Sequence, residues 1–217
     1  MTVLVTGATG FVGSAVTRLL LAQGATVAVL SRRDSDQSNL KNLKVEIREG
    51  DLRDKRSLER ACSQCDTLFH IAADYRLWAR DSRELYASNV DGTRNMMQAA
   101  LESGITKIVY TSSVATLGTN IDGSPGTETT PVEVDDMIGH YKRSKFLAER
   151  TVDALIRDQG LPAIIVNPST PVGPGDMLHV QVIKNRQRGN VWRFSGTVRV
   201  NDRVVADAVF SAMIMDN

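Results

Sequence analysis

Cysteine, aromatic residues, charge of one sign and long apolar runs are all scarce in this chain. Its only cysteines, Cys62 and Cys65, form a single C-x-x-C pair. One pair cannot build a disulfide framework, and no second ligand pair is present to complete a zinc site, so no metal centre is read. The pair falls between a helix-like stretch and the run Thr67-Leu68-Phe69. It therefore reads as small buried residues at a helix end in a reducing, cytoplasmic setting, with a redox pair as the alternative. The formal charge is only +1, which argues against a nucleic-acid or acidic-membrane partner. No apolar stretch approaches the ~20 residues that span a bilayer, so membrane insertion is not expected. The opening strand is read almost at Met1, so a signal peptide is not expected. Repeats and low-complexity tracts are absent as well. What remains is 217 residues of ordinary globular composition, enough for one substantial core and a small appendage.

Strand-like and helix-like stretches alternate through residue 172. Val3–Val5, Thr26–Leu30, Val45–Arg48, Thr67–His70, Lys107–Tyr110 and Ala163–Val166 are short β-rich runs. Between them lie helical patterns at Gly13–Gln23, with Val16, Leu19 and Leu20 on one face, and at Lys55–Cys62, Glu84–Ser103 and Ile138–Gln159. Buried runs joined by crossover helices predict an α/β fold: a doubly wound parallel sheet with both faces covered. The Gly-, Thr- and Asp-rich stretch Gly118–Pro131 is expected to be a surface loop near a substrate.

From Gly175 the period changes to two. Met177–Lys184, Val191–Val200 and Arg203–Met215 read as a three-stranded antiparallel meander, with Trp192, Phe194, Val198 and Val200 on one face of the middle strand. Arg188-Gly189-Asn190 and Asn201-Asp202 are its candidate turns. Two units are therefore expected, residues 1–174 and residues 175–217.

Thr6-Gly7-Ala8-Thr9-Gly10-Phe11-Val12-Gly13 separates the first strand from its helix. The three glycines suit a tight turn, close backbone approach to a pyrophosphate, and close packing of helix on strand, while the helix N-terminus supplies amides and positive dipole. Gly7, Thr9, Gly10, Phe11, Val12 and Gly13 are thus candidate cofactor contacts. The end of the second strand, Ser31-Arg32-Arg33, carries no carboxylate to grip the ribose hydroxyls of NAD. A guanidinium at Arg32 suits a 2′-phosphate, so NADP is favoured, with NAD as the alternative. Asp51 and Leu52 either border the adenine or, for Asp51, cap the next helix.

Tyr141 and Lys145, four residues apart, share a helix face. A phenol ionises too high for an efficient base at neutral pH, and a neighbouring ammonium should lower that value. Lys145 can also reach a nicotinamide ribose. Ser113, in Thr111-Ser112-Ser113 after another apolar run, supplies a hydroxyl to orient a substrate carbonyl or alcohol. His140 projects from another helix face and is taken as incidental.

These motifs, with Gly50-Asp51-Leu52, His70-Ile71-Ala72-Ala73, Asn89-Val90-Asp91-Gly92-Thr93 and Asn167-Pro168-Ser169, make residues 1–174 resemble the extended short-chain dehydrogenase/reductases, the branch of NAD-dependent epimerases/dehydratases and dihydroflavonol reductases. The segments Ala72–Ala79 and Asp135–Lys145 resemble, more narrowly, hopanoid-associated sugar epimerases. The resemblance implies a Ser113-Tyr141-Lys145 catalytic triad, a cofactor lined by Ala72 and Ala73, and Asn167, Pro168, Ser169 and Thr170 near the nicotinamide. It implies a small-molecule substrate, a nucleotide sugar or related carbonyl compound. Such enzymes continue for well over a hundred residues past the point matching Gly173-Pro174, where their substrate subdomain forms. Here Asn190–Phe194 and Ala206–Phe210 instead resemble the end of a hotdog-fold 3-hydroxyacyl-carrier-protein dehydratase, without that family's catalytic His and acid. Hotdog strands normally join a larger sheet, so the tail is expected to pack against the first unit or to pair in a homo-oligomer, with a disordered, aggregation-prone tail as the alternative. For the site, the missing subdomain leads to an expectation of weak, unselective turnover, with cofactor binding without turnover as the alternative.

Overall fold

The computed structural model describes residues 1–76, 79–173, 178–188, 191–200 and 203–213. The chain divides into two compact units, Met1–Pro171 and Val172–Asn217. The boundary expected between residues 174 and 175 lies outside the described residues.

The first unit is built on six parallel strands: β1 (Thr2–Thr6), β2 (Thr26–Ser31), β3 (Glu46–Glu49), β4 (Thr67–His70), β5 (Lys107–Thr111) and β6 (Ala163–Val166), in the spatial order β3-β2-β1-β4-β5-β6. The helices α1 (Phe11–Ala22), α2 (Lys55–Cys62), α3 (Arg83–Tyr86), α4 (Gly92–Glu102) and α5 (His140–Gln159) make the crossovers. Alternate side chains of β1 supply two cores. Leu4 joins Leu68, Ile108 and Tyr110 under α2, α4 and α5, while Val3 and Val5 join Val27, Val29 and Leu40 on the α1 side. This is the doubly wound sheet expected from the buried strand runs.

Several details depart from the sequence reading. α1 buries Gly13, Ser14 and Thr17, and Leu19 is 59% exposed. Small side chains fill the buried side at the start of this helix, and Leu20 and Leu21, not Leu19, pack against the core. The single helix expected over Glu84–Ser103 is α3 and α4 joined by a π-helical turn at Ala87–Asp91. α5 starts at His140 because Gly139, at φ +86°, turns the chain into it, and Gly160, at φ +67°, ends it in a left-handed cap. The paired register Val5, Phe69, Val109, Ile164 puts these four residues on one face. On that face, at edge strand β6, Ile164 is 65% exposed.

The second unit is an antiparallel sheet of β7 (Leu178–Arg188), β8 (Val191–Val200) and β9 (Arg203–Met213), in that order. β7 runs past Lys184, where the sequence pattern ends it. Asn185 is skipped in the pairing between Lys184 and Arg186, and this bulge lets the strand continue. Trp192 and Phe194 stack at 6.2 Å, with the Lys184 ammonium 4.3 Å over the Trp192 ring. The candidate turn residues Gly189, Asn190, Asn201 and Asp202 lie outside the described residues.

Candidate active site

Apart from Tyr141 and Lys145 on α5, the candidate residues follow the carboxyl ends of the parallel strands, and the sheet order reverses between β1 and β4. A doubly wound sheet opens its ligand crevice at that point. There the chain turns through Gly7–Gly10, closed by the Gly10 amide on the Gly7 carbonyl at 2.9 Å. Gly7 has φ +72°, and a methyl group on it would lie 2.7 Å from the Ala72 nitrogen. A methyl on Gly13 would lie 2.1 Å from the Gly7 carbonyl oxygen, whereas Gly10 leaves 3.3 Å. The start of α1, the turn and the strand end at Ala72 are therefore packed backbone to backbone. α1 has no capping side chain and no acid in its first turn, so its first amides, at Phe11 and Val12, suit an anion. The Thr9 carbonyl accepts from Asn39 Nδ2 at 2.9 Å, and the Asn39 carbonyl accepts from Arg18 Nη2 at 2.8 Å. That chain fixes the turn from its outer side.

Beneath the turn, Thr6 Oγ1 accepts from the amides of Ile71 and Ala72, each at 3.1 Å, and meets His70 Nδ1 at 2.8 Å. With both amides donating to it, the Thr6 hydroxyl has its own proton to give to Nδ1. His70 Nε2 then carries the ring proton and donates to Thr93 Oγ1 at 3.1 Å. Complete burial pushes the His70 pKa down to about 3, so the ring is neutral and structural. It fixes the segment holding Ala72 and Ala73.

On the β2–β3 side, Arg32, Asp51, Arg53 and Arg60 line an open cleft of about 600 Å³. The Arg53 guanidinium bonds both oxygens of Asp51, at 3.0 and 2.8 Å, and holds its carboxyl below the usual range. Asp51 does not cap α2. Asp54 does, accepting from the Arg56 amide at 3.1 Å. Leu52 is pinned to α4, its carbonyl accepting from Asn95 Nδ2 at 3.0 Å.

The Ser113 hydroxyl, which accepts from the Ala115 amide at 3.1 Å, lies near enough to the Tyr141 phenol to act on it without a hydrogen bond between them. The Tyr141 pKa is raised, because burial outweighs the Ser113 hydroxyl that pulls it down. This corrects the expectation that Lys145 lowers it. Lys145 is 2% exposed, and its ammonium donates to Tyr110 Oη at 3.2 Å and to the Thr111 carbonyl at 3.0 Å. Burial lowers its own pKa to about 8, against an opposing pull from Glu149. His140 Nδ1 meets Tyr86 Oη at 3.1 Å.

After β6, Asn167 Nδ2 shares its two protons among Ser113 O at 3.1 Å, Thr116 Oγ1 at 2.9 Å and Glu149 Oε2 at 2.8 Å. The Pro168 carbonyl accepts from the Val114 amide at 3.0 Å, and Ser169 and Thr170 are exposed. Ser112 Oγ is buried and close enough to influence Tyr110 and Glu149, yet meets no hydrogen-bond partner at bonding geometry.

A family model for the NAD dependent epimerase/dehydratase family matches residues 3–200. The chain belongs to that family. The match runs past residue 174, where the motif resemblance ends, and into β8. A putative dihydroflavonol 4-reductase from Synechocystis is 47% identical over 174 residues, covering 80% of this chain and 50% of that protein. The crystal structure of gox2253 is 55% identical with a TM-score of 0.78, covering 81% of this chain and 53% of that one. The UDP-glucose 4-epimerase of Thermus thermophilus in complex with NAD is 30% identical with a TM-score of 0.68, covering 77% and 54%. The chain thus spans about half the length of the relatives it matches.

Within this family fold, the sequence motifs did not point to Glu149, Thr116, Tyr110 or Asn39. Glu149 had a signal, since it follows Tyr141 and Lys145 at the same four-residue spacing. Tyr110 and Thr116 had none, because a buried hydroxyl partner depends on which strands become neighbours.

Proposed function

We propose that this chain carries out NAD(P)-dependent oxidoreductase or epimerase-type chemistry on a sugar, such as a nucleotide sugar, or a related carbonyl substrate. The observation that carries this reading is Tyr141 one turn before the buried Lys145 on α5, whose ammonium bonds the last residue of β5, with the Ser113 hydroxyl two residues beyond that strand and close enough to act on the Tyr141 phenol. The backbone cradle of Gly7, Gly10 and Gly13, where added methyl groups would meet other backbone, fits a dinucleotide. Thr9, Phe11 and Val12 would hold its phosphates, Ala72, Ala73 and Asn167–Thr170 its nicotinamide end, and Asp51 and Leu52 its adenine. When bound, the dinucleotide supplies a ring that accepts or gives hydride. Ser113 would orient the substrate oxygen, and Tyr141 would move the proton. A phenol whose pKa is raised keeps its proton at neutral pH, which suits donation to an alkoxide forming during carbonyl reduction. NADP is the preferred form, since Arg32 follows β2 where a carboxylate would select NAD. This chemistry is assigned to residues 1–174, and residues 175–217 are given no catalytic part.

A second reading, dinucleotide binding without turnover, is favoured by one contact: Lys145 bonds Tyr110 and Thr111 rather than Tyr141. The two separate in one experiment, turnover of a panel of nucleotide sugars and ketones by the wild type and by Tyr141→Phe. Loss of at least about a hundredfold in kcat with cofactor affinity retained is expected, the usual scale of general acid–base catalysis. Tight cofactor binding with no wild-type turnover would establish the second reading. The homo-oligomer remains part of the proposal, with Val182, Ile183, Val204 and Val209 of the antiparallel sheet all exposed.

A further inference from the structure

Among the described residues, the buried ionised side chains are Lys145 and Glu149, 2% and 5% exposed, one turn apart on α5. A buried charge is costly unless it is paired and hydrogen-bonded. Glu149 is well satisfied: Oε2 accepts from Thr116 Oγ1 at 2.8 Å and from Asn167 Nδ2 at 2.8 Å, and Oε1 accepts from Arg150 Nη2 at 2.8 Å. Two of these donors are structural parts of the site. The single Thr116 hydroxyl proton is shared between that carboxylate and the Ser113 carbonyl, 2.7 Å away, and Asn167 Nδ2 also reaches the Ser113 carbonyl, at 3.1 Å. The carboxylate therefore gathers the loop after β5 and the end of β6 onto the helix that carries Tyr141 and Lys145.

We propose that Glu149 is a positioning residue of this site, a single buried carboxylate that keeps Lys145 charged and ties the Ser113 loop to the end of β6 through Thr116 and Asn167. This rests on the reading of Ser113, Tyr141 and Lys145 given above. The groups that face Lys145 are Tyr110 of β5, His70 of β4, and Glu149 on its own helix. His70 is neutral and the Tyr110 phenol is pushed up by burial. Glu149 is thus the counter-charge. Around Glu149 stand Arg150 and Asp153 on α5 and Tyr110 on β5. The Arg150 side chain is half exposed, so solvent screens it, whereas the path from Glu149 to Lys145 is buried. Burial pushes the Glu149 carboxyl up, but the hydrogen bonds from Thr116, Asn167 and Arg150, with the Ser112 hydroxyl close by, outweigh it and hold the carboxyl below its ordinary value. The carboxyl is ionised throughout the range in which Lys145 titrates.

The test is a 13Cε-lysine NMR titration of the full chain without added dinucleotide, the Lys145 signal being assigned by its loss in Lys145→Arg. A wild-type midpoint near 8 is expected. In Glu149→Gln the midpoint should fall by about one pH unit, a tenfold loss of proton affinity, and in Glu149→Asp it should stay near the wild-type value. An unchanged midpoint in Glu149→Gln would overturn the proposal. Should that variant fail to fold, Lys145→Met serves instead. Coupling is mutual, so the Glu149 carboxyl of Lys145→Met should titrate higher than in the wild type, and an unmoved carboxyl would overturn the proposal equally. For the loop, exchange of the Val114 amide should quicken about tenfold in Glu149→Ala, and unchanged exchange would remove that half of the claim. None of these readings needs turnover. A shifted lysine in a protein without activity would sink the proposed function and leave the role of Glu149 standing, and an unshifted lysine in an active enzyme would do the reverse.

Discussion

Gly13→Ala inverts an ordinary rule. In an exposed helix, glycine to alanine stabilises by about 1 kcal/mol, because glycine has the most backbone freedom to lose. At Gly13 the added methyl would sit 2.1 Å from the Gly7 carbonyl oxygen, 2.5 Å from its carbon and 2.9 Å from the Ala8 nitrogen. Ordinary contact starts near 3.4 Å, so α1 must move away from the turn by about 1 Å. The obstacle is backbone, and no rotamer change relieves it. Overpacking costs ~1–3 kcal/mol, and a clash with fixed backbone falls in the upper part of that range, about 2–3 kcal/mol; less the propensity gain of about 1 kcal/mol, a net destabilisation of about 1–2 kcal/mol remains. For a chain of this size that lowers Tm by roughly 2–8 °C. The displaced helix also carries the first amides away from the phosphates, so dinucleotide affinity should fall by at least tenfold. Gly10→Ala, with 3.3 Å of room, should lower both quantities much less. Thermal melts and isothermal titration with NADPH and NADH measure them. A Gly13→Ala protein as stable as the wild type, with equal affinity, would refute the packing argument.

Two further predictions concern charge. The His70 pKa lies at about 3 in the folded chain, below its unfolded value near 6.5. The unfolded state therefore binds the extra proton between those values, and stability is lost as pH falls through that window. Between pH 7 and 5 the loss is about 2 kcal/mol, and urea midpoints should show it in the wild type and a flatter profile in His70→Gln. Arg32→Asp should move the NADP/NAD affinity ratio towards NAD by tenfold or more, the size of one charge-assisted hydrogen bond of ~1.5–3 kcal/mol. An unchanged ratio in direct binding measurements would make Arg32 a solvated loop residue.

The parallel sheet was legible because strands buried on both faces are written as unbroken apolar runs, as in Val3-Leu4-Val5. The antiparallel unit was legible because its period is two. What stayed hidden depended on distances between elements. The face of α1 was misread at Leu19, because small residues, Gly13, Ser14 and Thr17, fill the buried side at the start of the helix, while Leu20 and Leu21 pack against the core. The direction of the Tyr141 shift was misread because helix spacing places Lys145 near it but cannot show that strand β5 offers the ammonium better acceptors. Both buried cysteines fit the structural reading: burial pushes the Cys62 thiol up to about 12 and raises that of Cys65 as well.

The π-helical turn at Ala87–Asp91 has a consequence for how this chain tolerates change in length. Within it Asn89 is buried, its side chain accepting from the Asp74 amide at 2.7 Å and donating to the Asp74 carbonyl at 2.9 Å and to Ser144 Oγ at 2.9 Å. One residue more than a regular turn requires is stored there. Losing one residue anywhere from Ala87 to Asp91 would let α3 and α4 run on as a single regular helix, with better local hydrogen bonding. Residues in the wide turn each advance by less than the ~100° of a regular helix, so removing the stored residue would leave both flanks facing as before, with Leu85 and Met96, both buried, still directed to the core. What would be lost is the placing of Asn89, and with it the hydrogen bonds to Asp74 and Ser144. The segment is thus a place where a deletion mends the helix and undoes only the contact that joins it to Asp74 and α5.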